Sequence, residues 1–273
     1  VDPATILSLA TVRLPDGSVH PEVNACIAAL FCWELLSCGA DDPVLRRCLD
    51  YLETCEQADH PGRFTFYPEA ARPGWFSGRL FADVDDTALC ATVLLRSGRR
   101  DRRWALDVAA RLDPFRRTYV NEADRPWIRP GMYQTWLEAG LPRNPVDLCA
   151  NLNVLTFRRL AGHCSDADLT LGEAMAECCA WVDGSPARLR CVSPYYFSIW
   201  ELHRAWRRAS DVGAAPGPKH RYSLPAERAS DPLFGSDDGR FAWYSQDLFV
   251  IRRTVTSGAA AGRYFSRFGQ RFP

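Results

Sequence analysis

The sequence has 273 residues, of which 47% are hydrophobic and 24% charged, enough for one large domain with a sizeable core. Its 33 Lys+Arg balance its 33 Asp+Glu, so no basic excess exists to meet the phosphates of a nucleic acid. No run of about 18 apolar residues occurs, so no membrane span is expected, and no secretory signal is read at Val1-Asp2-Pro3.

In chain order, residues 1–19 read as an N-terminal segment, a loop or weak helix with a turn at Pro15-Asp16-Gly17-Ser18. His20-Pro21-Glu22 opens a first helix that ends near Cys38, with Gly39 as a left-handed cap. A second helix runs from Pro43 to Gln57, with Val44, Leu45, Cys48, Leu49 and Leu52 at helical spacing. A long connection over 58–82 holds Trp75 and Phe76, and a loop of that length is usually functional. A third helix starts with Asp83 as its cap and ends near Gly98, and a fourth spans 102–112. A second long connection, 113–145, holds Tyr133 and Trp136. Further helices are expected from Val146, over 169–182, from Ser193 to Arg208, and around 222–229 and 244–256.

Two weak repeats link these segments. Helix starts at Asn24, Asp86 and Asp147 fall 62 and 61 residues apart. The connections share Gly62-Arg63-Phe64, Gly131-Met132-Tyr133 and Gly239-Arg240-Phe241, each followed two or three residues later by another aromatic. Helix pairs repeating on this scale stack side by side, which predicts an all-α fold, an α/α toroid of five to six hairpins over 20–260 with a tail at 261–273. Eleven scattered cysteines with no Cys-x-x-Cys pair suit buried, reduced thiols in a cytoplasmic protein.

Chemistry concentrates at Asp83-Val84-Asp85-Asp86-Thr87-Ala88, three carboxylates within four positions between apolar neighbours. Such charges repel, and away from water at least one proton is held more tightly than a free Asp holds it. Aspartates at a helix start also cap free N–H groups, worth about 1 kcal/mol, which is the plainer explanation of the same residues. Asp147 and Asn151 lie one helical turn apart: they either hydrogen-bond Asp85 across a cavity or serve as a cap and a buried amide.

The Asp-x-Asp-Asp-Thr-Ala stretch resembles that of class II terpene cyclases, the group of squalene–hopene and copalyl diphosphate cyclases. The Gly-Arg-Phe segments, with Gln57 and Asp238, resemble that group's aromatic repeat. The resemblance implies that Asp85 is a general acid supported by Asp83 and Asp86. It would protonate an alkene or epoxide of a linear isoprenoid and so start a carbocation cyclisation. Trp75, Phe76, Tyr133, Trp136, Tyr195, Tyr196 and Phe197 are the candidate lining of the pocket, although any one of them also suits a core. No cofactor is required and no metal site is assigned. Mg2+ would serve only to hold a substrate diphosphate, beside Arg63, Arg79 or Arg129. Family members hold their cavity between two helical domains. A single domain would close its pocket with its own connections, a second copy or a partner protein. The alternatives are a non-catalytic toroid binding a hydrophobic ligand or partner, and a sugar-cleaving barrel using Asp85 and Asp147. The absence of Asp-Asp-x-x-Asp argues against an ionisation-type terpene synthase.

Overall fold

The computed structural model describes residues 9–39, 43–76, 79–121, 124–141, 144–218, 224–236 and 240–256. Its helices are α1 (Ala25–Ser37), α2 (Pro43–Thr54), α3 (Val84–Arg96), α4 (Arg102–Leu112), α5 (Leu148–Ala161), α6 (Asp166–Val182), α7 (Pro186–Val192), α8 (Ile199–Asp211) and α9 (Gln246–Thr256). Four strands, β1 (Ala10–Arg13), β2 (Val19–Glu22), β3 (Phe234–Gly235) and β4 (Ala242–Tyr244), form an antiparallel sheet in the order β2-β1-β4-β3.

That sheet overturns the expected all-α toroid: the fold is mixed α/β. The difference has a physical reason. Strands of two to four residues are too short to display alternation, and β2 carries Pro21, which a strand tolerates only at an edge. The partner of β1 on its other side is β4, with Val12 opposite Trp243, a pairing no local pattern signals. The expected start of α1 at Pro21 and of α8 at Ser193 fail for the same reason. Residues 19–22 pair with β1, and Tyr196 bridges to Phe234 before α8 begins. Residues 224–229 are not helical, and α7 was not expected. Asp238, Gly239 and the tail 261–273 lie outside the described residues.

Helices α1, α3, α5 and α8 pack in that order, with α9 against α1 and with α2, α4 and α6 outside them. The sequence explains the layering. In α1 every residue from Ala25 to Cys32 is buried, whereas α2 buries only one apolar stripe. Arg252 on α9 ties the layer together, donating to Glu201 on α8 (3.0 Å) and to Glu34 on α1 (3.0 Å).

The repeats acquire a structural meaning with one change of register. The caps are Asn24, Asp83 and Asp147, each accepting from the N–H three residues on, at 2.9, 2.7 and 3.1 Å. Asp83, not Asp86, is therefore the equivalent of the other two. Gly62 and Gly131 share a left-handed φ of 85° and 92°, which admits the turn before each buried aromatic, Phe64 and Tyr133. The N–H of Phe64 donates to Thr87 Oγ1 (3.0 Å) and that of Tyr133 to Asn151 Oδ1 (2.7 Å). Thr87 and Asn151 each sit four residues after a cap, so both connections are pinned to their helices in the same way.

These pinned connections form a belt around the N-terminal ends of α1, α3 and α5. The Ala25 N–H donates to the Phe66 carbonyl (2.9 Å), and Thr65 bridges to Ala82. Asp83 bridges to Trp136, the Thr135 N–H donates to the Pro145 carbonyl (2.8 Å), and Tyr196 bridges to Phe234 in the sheet.

Candidate active site

The belt encloses a cavity of about 280 Å³. The first turns of three helices open onto it: Cys26 from α1, Asp85 and Asp86 with the cap Asp83 from α3, and Ala150 with the cap Asp147 from α5. The opposite wall is aromatic. Phe66, Phe234 and Trp243 pack on one another at ring separations of 5.3 to 5.8 Å. Trp136 meets Tyr195 edge-on at 5.7 Å, and Phe76, Phe81 and Tyr196 complete the lining. Arg79 stands at the rim above the Phe81 ring at 4.6 Å, largely exposed and 3.7 Å from Glu138.

The three clustered carboxyls differ in what they touch. Asp83 and Asp86 are buried, whereas Asp85 is half-buried because its carboxyl faces the cavity. Asp85 is still enclosed by protein, and burial pushes its pKa up against the lowering effects of Tyr196, Asn153 and Arg208. Its Oδ1 accepts from Asn153 Nδ2 at 2.8 Å, and its Oδ2 accepts from the Tyr196 hydroxyl. Burial, then the charges of Asp83 and Asp85, drive Asp86 well above the ordinary carboxylate range. One buried Asp86 oxygen, Oδ2, has no hydrogen-bond partner, which an ionised carboxylate would not tolerate. Asp83 rises for the same reasons, burial and then Asp85, while its Oδ1 is held by the Asp86 N–H. Burial and the unpartnered oxygen therefore both favour the protonated form of Asp86.

Asp147 is buried on the α5 side of the same cavity, and desolvation pushes it up to about 7. It accepts from Ser193 Oγ on both oxygens (2.7 Å each), from the Ala150 N–H and from the Tyr195 N–H (3.3 Å). Cys149, two residues further on, is a buried thiol whose pKa burial and then the Asp147 charge push up. Among the described residues, no group of three or more His, Cys, Asp or Glu is arranged to hold a metal ion.

Of the residues singled out in the sequence, the structure brings Asp83, Asp85, Asp86, Phe76, Trp136, Asp147, Tyr195 and Tyr196 to one cavity. It places the others elsewhere. Trp75 stands behind the wall, stacked on Phe241 at 5.8 Å. Tyr133 is fully buried under the Arg116 guanidinium. Phe197 packs behind Gly235, where a Cβ would come within 2.3 Å of its ring. Asn151 does not reach Asp85: its amide clamps the Tyr133 backbone and donates to the Asp147 carbonyl at 2.8 Å. Arg63 donates to the Leu137 carbonyl and Arg129 to the Ile128 carbonyl, both away from the lining. Asn153, Phe66, Phe81, Phe234 and Trp243 were missed. The repeat carried part of the signal, because Phe66, Trp136 and Trp243 are the aromatics two or three residues beyond its Phe64, Tyr133 and Phe241.

No protein-family model matches the chain, and no curated protein or solved structure matches it.

Proposed function

We propose that the protein is a proton-initiated isoprenoid cyclase of the class II type, with Asp85 as its general acid. One observation carries the reading: of the three clustered carboxyls lining the aromatic cavity, Asp85 is the most exposed to it, and two side-chain donors, Tyr196 and Asn153, meet its oxygens and stand ready for its conjugate base. Protonating an isolated alkene demands an acid that is neutral at rest and whose anion is stabilised once formed. Burial moves Asp85 toward the first condition by raising its pKa, against Tyr196, Asn153 and Arg208. The second comes from the two donors, each worth about 1.5–3 kcal/mol to a charged group, and from the N-terminus of α3, in whose first turn Asp85 lies.

In the proposed step the O–H bond of Asp85 breaks and a C–H bond forms at the terminal alkene, or an O–H bond at an epoxide. The O–H electron pair stays on the carboxylate, and the cation is left on the substrate. Phe66, Trp136, Phe234 and Trp243 line the same cavity, and each ring whose face meets the cation contributes about 0.5–2 kcal/mol. The cyclised cation then loses a proton to solvent at the rim of the cavity and Asp85 takes one back from solvent, so the cycle is an isomerisation with no net gain or loss of protons. A cavity of about 280 Å³ lies at the low end of ligand sites, which run to about 300–1,000 Å³. That favours a farnesyl chain over a geranylgeranyl chain. Arg79 at the rim is the group a diphosphate head would meet, and any Mg2+ would enter with that diphosphate.

The test is incubation of the protein with farnesyl and geranylgeranyl diphosphates and their terminal epoxides. A cyclic product that disappears in Asp85→Asn is expected. Turnover untouched by that substitution sinks the assigned acid, and thermal stabilisation by these chains without any product would identify a non-catalytic binder of hydrophobic ligands.

A further inference from the structure

Beneath the cavity, Asp85 is the first member of a buried polar row that runs through three helices. Asn153 on α5 donates its Nδ2 to Asp85 Oδ1 at 2.8 Å, and its own Oδ1 accepts from Arg208 Nη2 on α8 at 2.9 Å. Arg208 is only 4% exposed, with its guanidinium 5.7 Å from the Trp33 ring of α1. Glu201, seven residues earlier on α8 and fully buried, lies nearby, but its carboxylate is bound by Arg252 and Arg204.

We propose that Arg208 is a positioning residue that fixes the Asn153 amide as an obligate hydrogen-bond donor to Asp85. This rests on the reading of Asp85 as the general acid. A guanidinium has five N–H groups and no acceptor, so Asn153 must turn its oxygen toward Arg208. Its NH2 group is then the end that meets Asp85. Without Arg208 the amide is free to rotate and offer its oxygen, and a neutral Asp85 would donate its proton to that oxygen instead of holding it for substrate. With Arg208 in place Oδ1 always faces an N–H, so the acid's proton resides on Oδ2, the oxygen shared with Tyr196. The loss of that proton is met at once by a fixed donor on Oδ1.

The surrounding charges place the control with Arg208. From its own helix Asp85 faces Asp86 and the cap Asp83, and from the start of α5 Asp147, carboxyls that each disfavour an anion; Cys26 of α1 is a thiol that burial holds neutral and adds no charge. The Tyr196 hydroxyl precedes α8, which brings Glu201, itself neutralised by Arg252 of α9, and Arg208. Arg208 is thus the cation that both orients a donor and opposes the carboxylate cluster.

The experiment is a carboxyl-13C NMR titration of aspartate-labelled, ligand-free protein, with Asp85→Asn assigning the signal. Arg208→Met should move the Asp85 midpoint up by about one pH unit or more. Asn153→Ala should move it in the same direction, and Arg208→Lys, which keeps a cation, should move it less. With farnesyl substrates the same variants should lower kcat at nearly constant KM and displace the pH profile alkaline. A folded Arg208→Met protein whose Asp85 midpoint stays in place overturns the proposal; if that variant does not fold, an unmoved midpoint in Asn153→Ala overturns it equally. A midpoint that moves in a protein that turns over no isoprenoid would support the positioning role while removing the cyclase reading, so the two fail separately.

Discussion

Tyr196 and Asn153 show how a carboxyl side chain acquires a function its sequence position cannot reveal. Both meet Asp85 from other elements, across 111 and 68 residues of chain. Tyr196→Phe keeps the ring and removes the hydroxyl, so the Asp85 anion loses a donor worth about 1.5–3 kcal/mol. On the proposed mechanism kcat should fall about 10- to 100-fold with the cavity shape retained; steady-state kinetics on farnesyl substrates measure it, and an unchanged rate would argue that Tyr196 is only a wall. Asp85→Asn should cost about 10²–10⁴-fold or more, the range of a lost general acid. The motif itself identified Asp85. It did not say that the protonated form of Asp86 would be favoured, because that follows from burial and a buried oxygen without a partner rather than from spacing.

At the level of elements, the helix starts and the connections explain each other. Thr87 and Asn151 look like unrelated polar residues inside apolar helices, yet each receives the backbone N–H of the buried aromatic that follows a left-handed glycine. Asn151→Ala would strand the Tyr133 N–H and the Tyr133 carbonyl and remove a second donor from the Asp147 carbonyl, at a cost of about 2–4 kcal/mol, whereas Thr87→Val strands one N–H and should cost about 1–2 kcal/mol. Urea unfolding of the two variants reads that difference. Equal losses would show that the two anchors are not graded by their number of hydrogen bonds. Periodicity gave α3 and α4 to within two residues, because their apolar faces and caps are local. It failed at β1 to β4 and at the start of α8, where pairing with residues far along the chain decides the conformation.

Across the whole molecule, buried carboxyls of two kinds set the pH dependence of stability. Desolvation pushes Asp147 up to about 7 from 3.8 and Glu22 up to about 7 from 4.5, and Asp85 and Asp86 also rise. The folded chain therefore holds protons that the unfolded chain releases, and this stabilisation is lost as pH rises from about 4 through about 7. Glu201 behaves oppositely: burial raises it, but Arg252 and Arg204 outweigh burial and hold it at about 2. Asp113 and Asp168 are likewise held low, against burial, by Arg158 and Arg116 and by hydrogen bonds that include the Ser165 N–H to Asp168. Their contribution disappears as pH falls through the ordinary carboxylate range toward 2. The melting temperature should accordingly be higher at pH 5 than at pH 8 and fall again below about pH 4. A monotonic rise from pH 5 to 8 would contradict the assignment of protonated carboxyls to the cavity. Arg252→Met, which leaves Glu201 and Glu34 without their shared partner, should lose about 3–5 kcal/mol in chemical denaturation. By itself the sequence determined the helices with local caps and stripes, the acidic first turn of α3 and the aromatic spacing of the connections, because each is written within one or two helical turns. Only the tertiary structure decided that the fold contains a sheet, that Asn153 rather than Asn151 meets Asp85, and that Phe234 and Trp243 close the cavity, because those contacts join residues far apart in the chain whose pairing depends on burial and backbone hydrogen bonding, not on local pattern.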